Sequence, residues 1–181
     1  LSPAEARACA ADAEALANAP PLPRYPILDE FLPFGCYMDA GSSKRLASML
    51  GVSLQDYWGL VLEDVARHGH NTIALERVDR FTTEEWRDLQ GQAAGYGIRF
   101  VAIYNLALTT PAPYYEEFIE THIRPYADSP AMLAWSLHDE PPEHAFRNLM
   151  QVRPYVERAD PNHPLAVVLR EGRVAQARIA D

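Results

Sequence analysis

From residue 34 onward the apolar positions alternate between two periods. Short strand-like runs occur at 34–38 (FGCYM), 71–76 (NTIALE), 98–105 (IRFVAIYN), 131–137 (AMLAWSL) and 164–169 (PLAVVL). Between them lie longer stretches with apolar residues three and four apart. In 54–69, Leu54, Trp58, Val61, Leu62 and Val65 share one helical face, and Gly69 offers a cap. The stretch 82–97 opens on a threonine N-cap with glutamates in its first turn and closes on Gly97. Further helices are predicted over 114–127 and 143–159, where Pro125 and Pro154 should kink or break them near their ends. A last short helix is predicted in RVAQARIAD, leading toward a sixth strand. Residues 1–33 read differently, as an alanine-rich helix followed by PPLPRYPILDEFLP, whose prolines require an extended path over a surface.

Strands alternating with helices at intervals of about 30 residues predict βαβ units on a parallel sheet. Two α/β architectures share that texture, the open doubly wound sheet and the closed (β/α)8 TIM barrel. A dinucleotide- or phosphate-binding form of the first carries a glycine fingerprint after its first strand. Here that connection is DAGSSKRLASMLGVS, which has none, and Lys44 within it reads as a solvated loop lysine. The barrel is the expected fold. A complete one takes about 250 residues, so the 181 residues are expected to represent about the first five βα units. Residues 34–181 form that partial barrel, and residues 1–33 lead into it.

Composition narrows the function classes. The formal charge of −9 leaves no surplus of lysine and arginine to neutralise phosphates, which argues against a nucleic-acid partner. No apolar run reaches 18 residues, so no membrane-spanning helix is expected. Cys9 and Cys36 are too few for a disulfide framework and lack zinc spacing; neither a cofactor nor a metal is expected. The chain begins on leucine, so an upstream piece such as a signal peptide is expected to have been left out. That tilts the expected location toward secreted or periplasmic. Oligomeric state is not legible.

The chemistry concentrates in LAWSLHDEPPEH, 133–144. Leu133, Trp135 and Leu137 alternate with Ala134, Ser136, His138 and, if the period persists, Glu140. A barrel strand shows one face to the outer helices and one to the interior. The large apolar set suits the helices and the small polar set the interior, which carries His138 and Glu140 toward the upper opening. Barrel active sites lie at the C-terminal ends of the strands. The expected mouth therefore comprises Asp39, Glu76, Arg77, Tyr104, Asn105, His138, Asp139 and Glu140, with Glu76 and Arg77 alternatively forming a weak surface ion pair. Tyr37 and Tyr104 are placed to stack on a ring-shaped ligand.

GHNTIALE, FVAIYN and LAWSLHDEPPEHAFRNLMQVRPYVERADPNHPLAVV together resemble the retaining glycoside hydrolases of clan A, the barrel group of cellulases, β-galactosidases and β-glucuronidases. In that clan a Gly-x-Asn-Thr stretch leads into strand two, as Gly69-His70-Asn71-Thr72 does here, and strand four ends in Asn-Glu-Pro or Asp-Glu-Pro. The DPNHP before strand five recurs there as well. The resemblance runs from about Phe34 to the end and implies that Glu140 is the general acid/base. It implies a carbohydrate substrate with β linkages, bound by Asp39, Glu76, Arg77, Tyr104, Asn105, His138 and Asp139. Such an enzyme needs a carboxylic acid to protonate the leaving oxygen and a carboxylate about 5–5.5 Å away to attack the anomeric carbon. Burial and like charge both help a carboxyl keep its proton, so partial desolvation of Glu140 is expected, with Asp139 contributing.

Three departures from the clan pattern stand out. Asp139 replaces the asparagine that commonly precedes the acid, and Ala74 stands where many members place an arginine in strand two, although Arg77 follows at the strand end. The clan's nucleophile is a glutamate ending strand seven, which has no counterpart here; Glu171 follows strand five and cannot substitute. The 181 residues alone are therefore expected to be inactive. Two alternatives remain open: a metal-dependent barrel hydrolase and a non-catalytic carbohydrate-binding barrel. For the metal enzyme, His68 and His70 fall at the wrong end of strand two, whereas His138, Glu140 and His144, with Asp39, are the better ligand set. His122, His144 and His163 read as surface or turn residues.

Overall fold

The computed structural model describes Tyr25, Ile27, residues 31–106, Leu108 and residues 115–167, except the side chains at 143, 144 and 146. The predicted N-terminal helix, Cys9, most of the proline-rich segment and the predicted last helix lie outside them. Four parallel strands form one sheet: β1 (Gly35–Asp39), β2 (Thr72–Glu76), β3 (Arg99–Ile103) and β4 (Met132–Ser136), in the order β1-β2-β3-β4. A fifth begins beside β4, where the Trp135 N–H donates to Pro164 O (3.0 Å) and the Ala166 N–H to Trp135 O (2.7 Å). Strands that neighbour one another in chain order are what a barrel requires; a doubly wound sheet would place β1 inside the sheet. The fold is α/β, a (β/α)8-type barrel represented by its first units.

Between β1 and β2 lie two helices, α1 (Ala40–Leu50) and α2 (Leu54–Arg67). The sequence pattern missed α1, because Gly41, Ser42 and Ser43 are weak helix formers. Its ends explain it. Asp39 caps the start by accepting from the Ser42 N–H at 2.6 Å, and Gly51, at φ 68°, returns its N–H to the Ala47 and Ser48 carbonyls. Lys44 is thus a helical residue and not a loop lysine, and it reaches Glu85 at 2.6 Å. Glu85 also completes a capping box with Thr82 at the start of α3 (Thr83–Gly95).

After β3, α4 (Glu116–His122) stops earlier than predicted. Pro125 lacks the N–H to continue it, and the chain tightens into a 3-10 turn over Arg124–Tyr126. Helix α5 (Glu143–Ala159) matches the prediction and runs through Pro154. Its buried stripe, Ala145, Leu149, Val152, Val156 and Ala159, holds both sides of the proline against the sheet.

Helix-facing positions of the strands build the core: Ile73 and Leu75 from β2, Phe100 and Ala102 from β3, Met132 and Trp135 from β4, packed on Trp58, Leu62, Trp86 and Leu89 of the helices. The expected strict alternation in β4 is broken once. Met132 opposes Phe100 but Ala134 opposes Val101, so Leu133 is an extra residue at a bulge. Met132 takes the helix-side place predicted for Leu133, and the alternation of Ala134, Trp135, Ser136 and Leu137 is then as predicted.

The DPNHP segment closes this unit with a buried cluster. Asp160, fully buried, accepts from Trp135 Nε1 (2.6 Å), His163 Nδ1 (2.8 Å) and the Asn162 N–H (2.9 Å). Burial pushes its carboxyl pKa up, but the hydrogen bonds from His163 and Trp135 outweigh this and hold it below the ordinary value. His163, expected as a surface or turn residue, lies in the bend after α5 but is buried there as a partner of Asp160. His122 is half-buried, stacked on Phe118 and edging Tyr104.

Candidate functional site

Because strand side chains alternate, Gly35, Tyr37 and Asp39 share one face of β1, as Thr72, Ala74 and Glu76 do on β2. Register pairs Tyr37 with Ala74 and Asp39 with Glu76, and Glu76 with Ile103, which in turn opposes Ser136. The C-terminal ends of β1, β2 and β3 and the segment after β4 consequently converge on a cluster of polar groups.

Asn105 is the hub. Its Nδ2 donates to Glu76 Oε1 at 2.5 Å, and its Oδ1 accepts from the Asp139 N–H at 2.7 Å. One side chain thus spans from the end of β2 to the segment that carries the acid pair. Tyr37 closes the other side, its hydroxyl 3.4 Å from Asp139 Oδ2. Burial, then hydrogen bonding to Glu76 and the charge of Asp139, raise the Tyr37 pKa, so the phenol stays a donor. The ring itself is half exposed.

A second pair lies alongside. Arg77 Nε donates to Asp39 Oδ2 at 2.6 Å, and the hydrogen bond from Arg77, against burial and with help from Ser42, holds Asp39 at about 2. Arg77 pairs with Asp39 rather than with Glu76, the alternative partner the sequence offered. Asp39 therefore remains a carboxylate, fixed between an arginine and a helix N-terminus.

Backbone conformation marks the same end of the sheet. Among the described residues, Arg77 (φ 57°), Asn105 (φ 56°), Leu108 (φ 52°) and Glu140 (φ 47°) are the non-glycine residues with positive φ. Three of these follow β2, β3 and β4. Asparagine tolerates the left-handed region, whereas for arginine and glutamate it costs about 1–2 kcal/mol each. Strain of this kind persists where surrounding structure over-determines it and clusters at functional sites.

His138 is half-buried, and its Nδ1 donates to the Asp139 carbonyl at 2.6 Å, while Ser136 Oγ donates to the His138 carbonyl at 3.1 Å. The segment leaving β4 is thus braced from several directions. Glu140 follows at once and is exposed; the partial desolvation expected of it is not supplied by the described residues. Tyr104 does not join the mouth. It is buried on the helix side, with its ring stacked near Trp135 and its hydroxyl donating to the His122 carbonyl at 2.9 Å. Burial raises its pKa further. His68 bonds the Asp64 carbonyl at the end of α2 and His70 edges against Phe34, both at the base.

Sequence reasoning left Tyr37 outside the site proper, although its place two residues before Asp39 was a usable signal. It missed the Asn105 clamp, since nothing in a sequence announces which two strands an asparagine will join. Two hollows of about 260 and 350 Å³ lie elsewhere, around Arg99 and His163 and around Arg87 and Tyr126. Neither touches the acidic end.

No protein-family model and no curated protein matches this sequence. Solved structures do resemble it. An endo-β-1,4-mannanase from Thermotoga petrophila aligns with a TM-score of 0.60 at 14% identity, over 79% of this chain and 45% of that one. A glycoside hydrolase family 5 protein from Bacteroides vulgatus aligns with a TM-score of 0.53 at 11% identity, over 75% of this chain and 36% of its own. The chain therefore spans less than half the length of these structures. At such identities the likeness is one of fold, and it agrees with the strand order: the chain folds as part of a TIM barrel.

Proposed function

We propose that this chain carries the acid/base half of a retaining glycoside hydrolase acting on a β-linked oligo- or polysaccharide. The carrying observation is the placement of Glu140, held in a left-handed conformation directly after β4 and beside the Asn105-braced Asp139, at the catalytic end of a barrel. The barrels it resembles in shape are named as glycoside hydrolases, one of them a β-1,4-mannanase.

In the reaction, the Glu140 carboxyl gives its proton to the glycosidic oxygen as the bond from C1 to that oxygen breaks. A carboxylate from a later strand of the same barrel forms a bond to C1 from the opposite face. Glu140, now ionised, takes a proton from the water that displaces this carboxylate, which returns both groups to their starting states. Asp39, Glu76, Arg77, His138 and Asp139 line the sugar side of the acid, and Asn105 bridges Glu76 to the Asp139 backbone among them. Tyr37 offers an exposed ring face and a hydroxyl donor, a pairing suited to a pyranose. Tyr104 has only a supporting place beneath them.

The test is a series of aryl glycosides of graded leaving-group pKa, run on the intact enzyme and its Glu140→Gln variant. Good leaving groups need little protonation, so their glycosylation step should be nearly spared. Poor ones should slow by on the order of 10²–10⁴. Equal losses across the series would return Glu140 to a binding or structural role.

A further inference from the structure

Of the residues at the mouth, Asn105 bears on Glu140 without any need to touch a sugar. Its amide is used at both ends, donor to Glu76 and acceptor from the Asp139 N–H. The peptide it holds is the one next to Glu140. Beyond that point the chain turns into Pro141 and Pro142, which donate no backbone N–H. Before it, the Leu106 N–H donates to the Leu137 carbonyl at 2.7 Å, a backbone bond between these two segments. Between that bond and the prolines, the Asp139 N–H is a point at which a side chain from the end of β3 takes hold of the backbone. Asn105 sits at φ 56° to do so, a conformation asparagine reaches more cheaply than most residues.

We infer that Asn105 is the positioning residue of the acid, setting the direction of Glu140 by clamping the Asp139 peptide to the Glu76 carboxylate of β2. The inference rests on the proposed role of Glu140. Two amide hydrogen bonds, one of them to a carboxylate, fix the peptide to within a hydrogen-bond length. Displacement of a reacting group by about 1 Å can cost on the order of 100-fold in rate.

Asn105→Gly removes the clamp while keeping a residue at ease at positive φ. Asn105→Asp keeps an oxygen for the Asp139 N–H but loses the donor to Glu76 and sets two carboxylates against each other. Two readouts separate positioning from general support. In this chain, amide hydrogen exchange at Asp139 should speed at least 10-fold in Asn105→Gly, with Trp135 and Ala102 unchanged. In the intact enzyme, kcat for poor leaving groups should fall roughly 10- to 100-fold, kcat for the best leaving group should fall far less, and KM should move little. Asn105→Asp should recover part of the Asp139 protection but not the full rate.

A uniform loss of kcat across leaving groups, or exchange that speeds throughout β3 and β4, would overturn the inference and make Asn105 a fold residue. If Glu140→Gln shows leaving-group dependence and Asn105→Gly does not, the positioning role alone falls. If Glu140→Gln shows none, the role of Glu140 falls and the inference with it.

Discussion

At the base of the sheet, Asn71 accepts from the Phe34 N–H (2.8 Å) and from Thr72 Oγ1 (2.9 Å), and donates to the Leu32 carbonyl (2.9 Å). At the mouth, Asn105 accepts from the Asp139 N–H and donates to the Glu76 carboxylate. The residue type is the same and so is the use of both ends of the amide. The partners differ. Around Asn71 they are backbone groups and a hydroxyl, none of which titrates in water near neutrality. Around Asn105 one is a backbone N–H and the other an ionisable carboxylate, and Asn105 itself sits at positive φ. One end of the sheet holds the barrel together; the other end spends conformational energy to assemble carboxylates.

This contrast makes four expectations, in falling order of size. At the base, a Cβ on Gly35 would lie 1.7 Å from the Thr72 carbonyl oxygen, and backbone cannot move aside for it. Gly35→Val should therefore cost more than about 4 kcal/mol or prevent folding, seen as loss of the cooperative urea transition. Replacing Asp160, which anchors the helix side of β4, comes next. Asp160→Ala strands Trp135 Nε1 and His163 in the interior and should cost about 3–5 kcal/mol. If that variant unfolds at the same urea concentration as the parent, the buried cluster is not a structural centre.

Asn71→Ala should follow with about 1–3 kcal/mol, for donors and an acceptor left unmade, and its cost should be the same at pH 5 and pH 8. A cost that varies across that range would erase the distinction between the two ends. Smallest is a pH effect at the mouth. Asp39 is held at about 2, below its ordinary 3.8, so the stability it adds is present above the ordinary value and is lost as pH falls through about 2. Thermal melts of the parent should therefore weaken between pH 4 and pH 2, and Asp39→Asn should flatten that stretch. Identical slopes would show that the Arg77 pair contributes nothing.

Much of the barrel was legible because period is a local property. The five apolar runs fall on the four strands and the start of the fifth, and the capping box at Thr82 and Glu85 could be read letter by letter. Helix α1 escaped because its support comes from caps at Asp39 and Gly51 rather than from its own residues. The bulge at Leu133 escaped because register is set by the partner strand. At the mouth, strand-end placement could name Asp39, Glu76, Arg77, Asn105, His138, Asp139 and Glu140 as candidates, but it could not sort their partners. Arg77 chose Asp39 across strands over its neighbour Glu76. Tyr104, just past the end of β3, turned to the helix side, where Trp135 and Phe118 receive its ring. His163 went inward because a buried aspartate was waiting three residues earlier. All three are choices made by tertiary neighbours.

The central claim is that the mouth is built around Glu140 as an acid that later acts as a base. Azide tests this most directly, because an anionic nucleophile needs no base to attack a glycosyl-enzyme intermediate. With the intact Glu140→Gln enzyme and a substrate bearing a good leaving group, added azide should raise turnover and yield a glycosyl azide of retained anomeric configuration. No rescue, or a glycosyl azide of inverted configuration, would contradict the account.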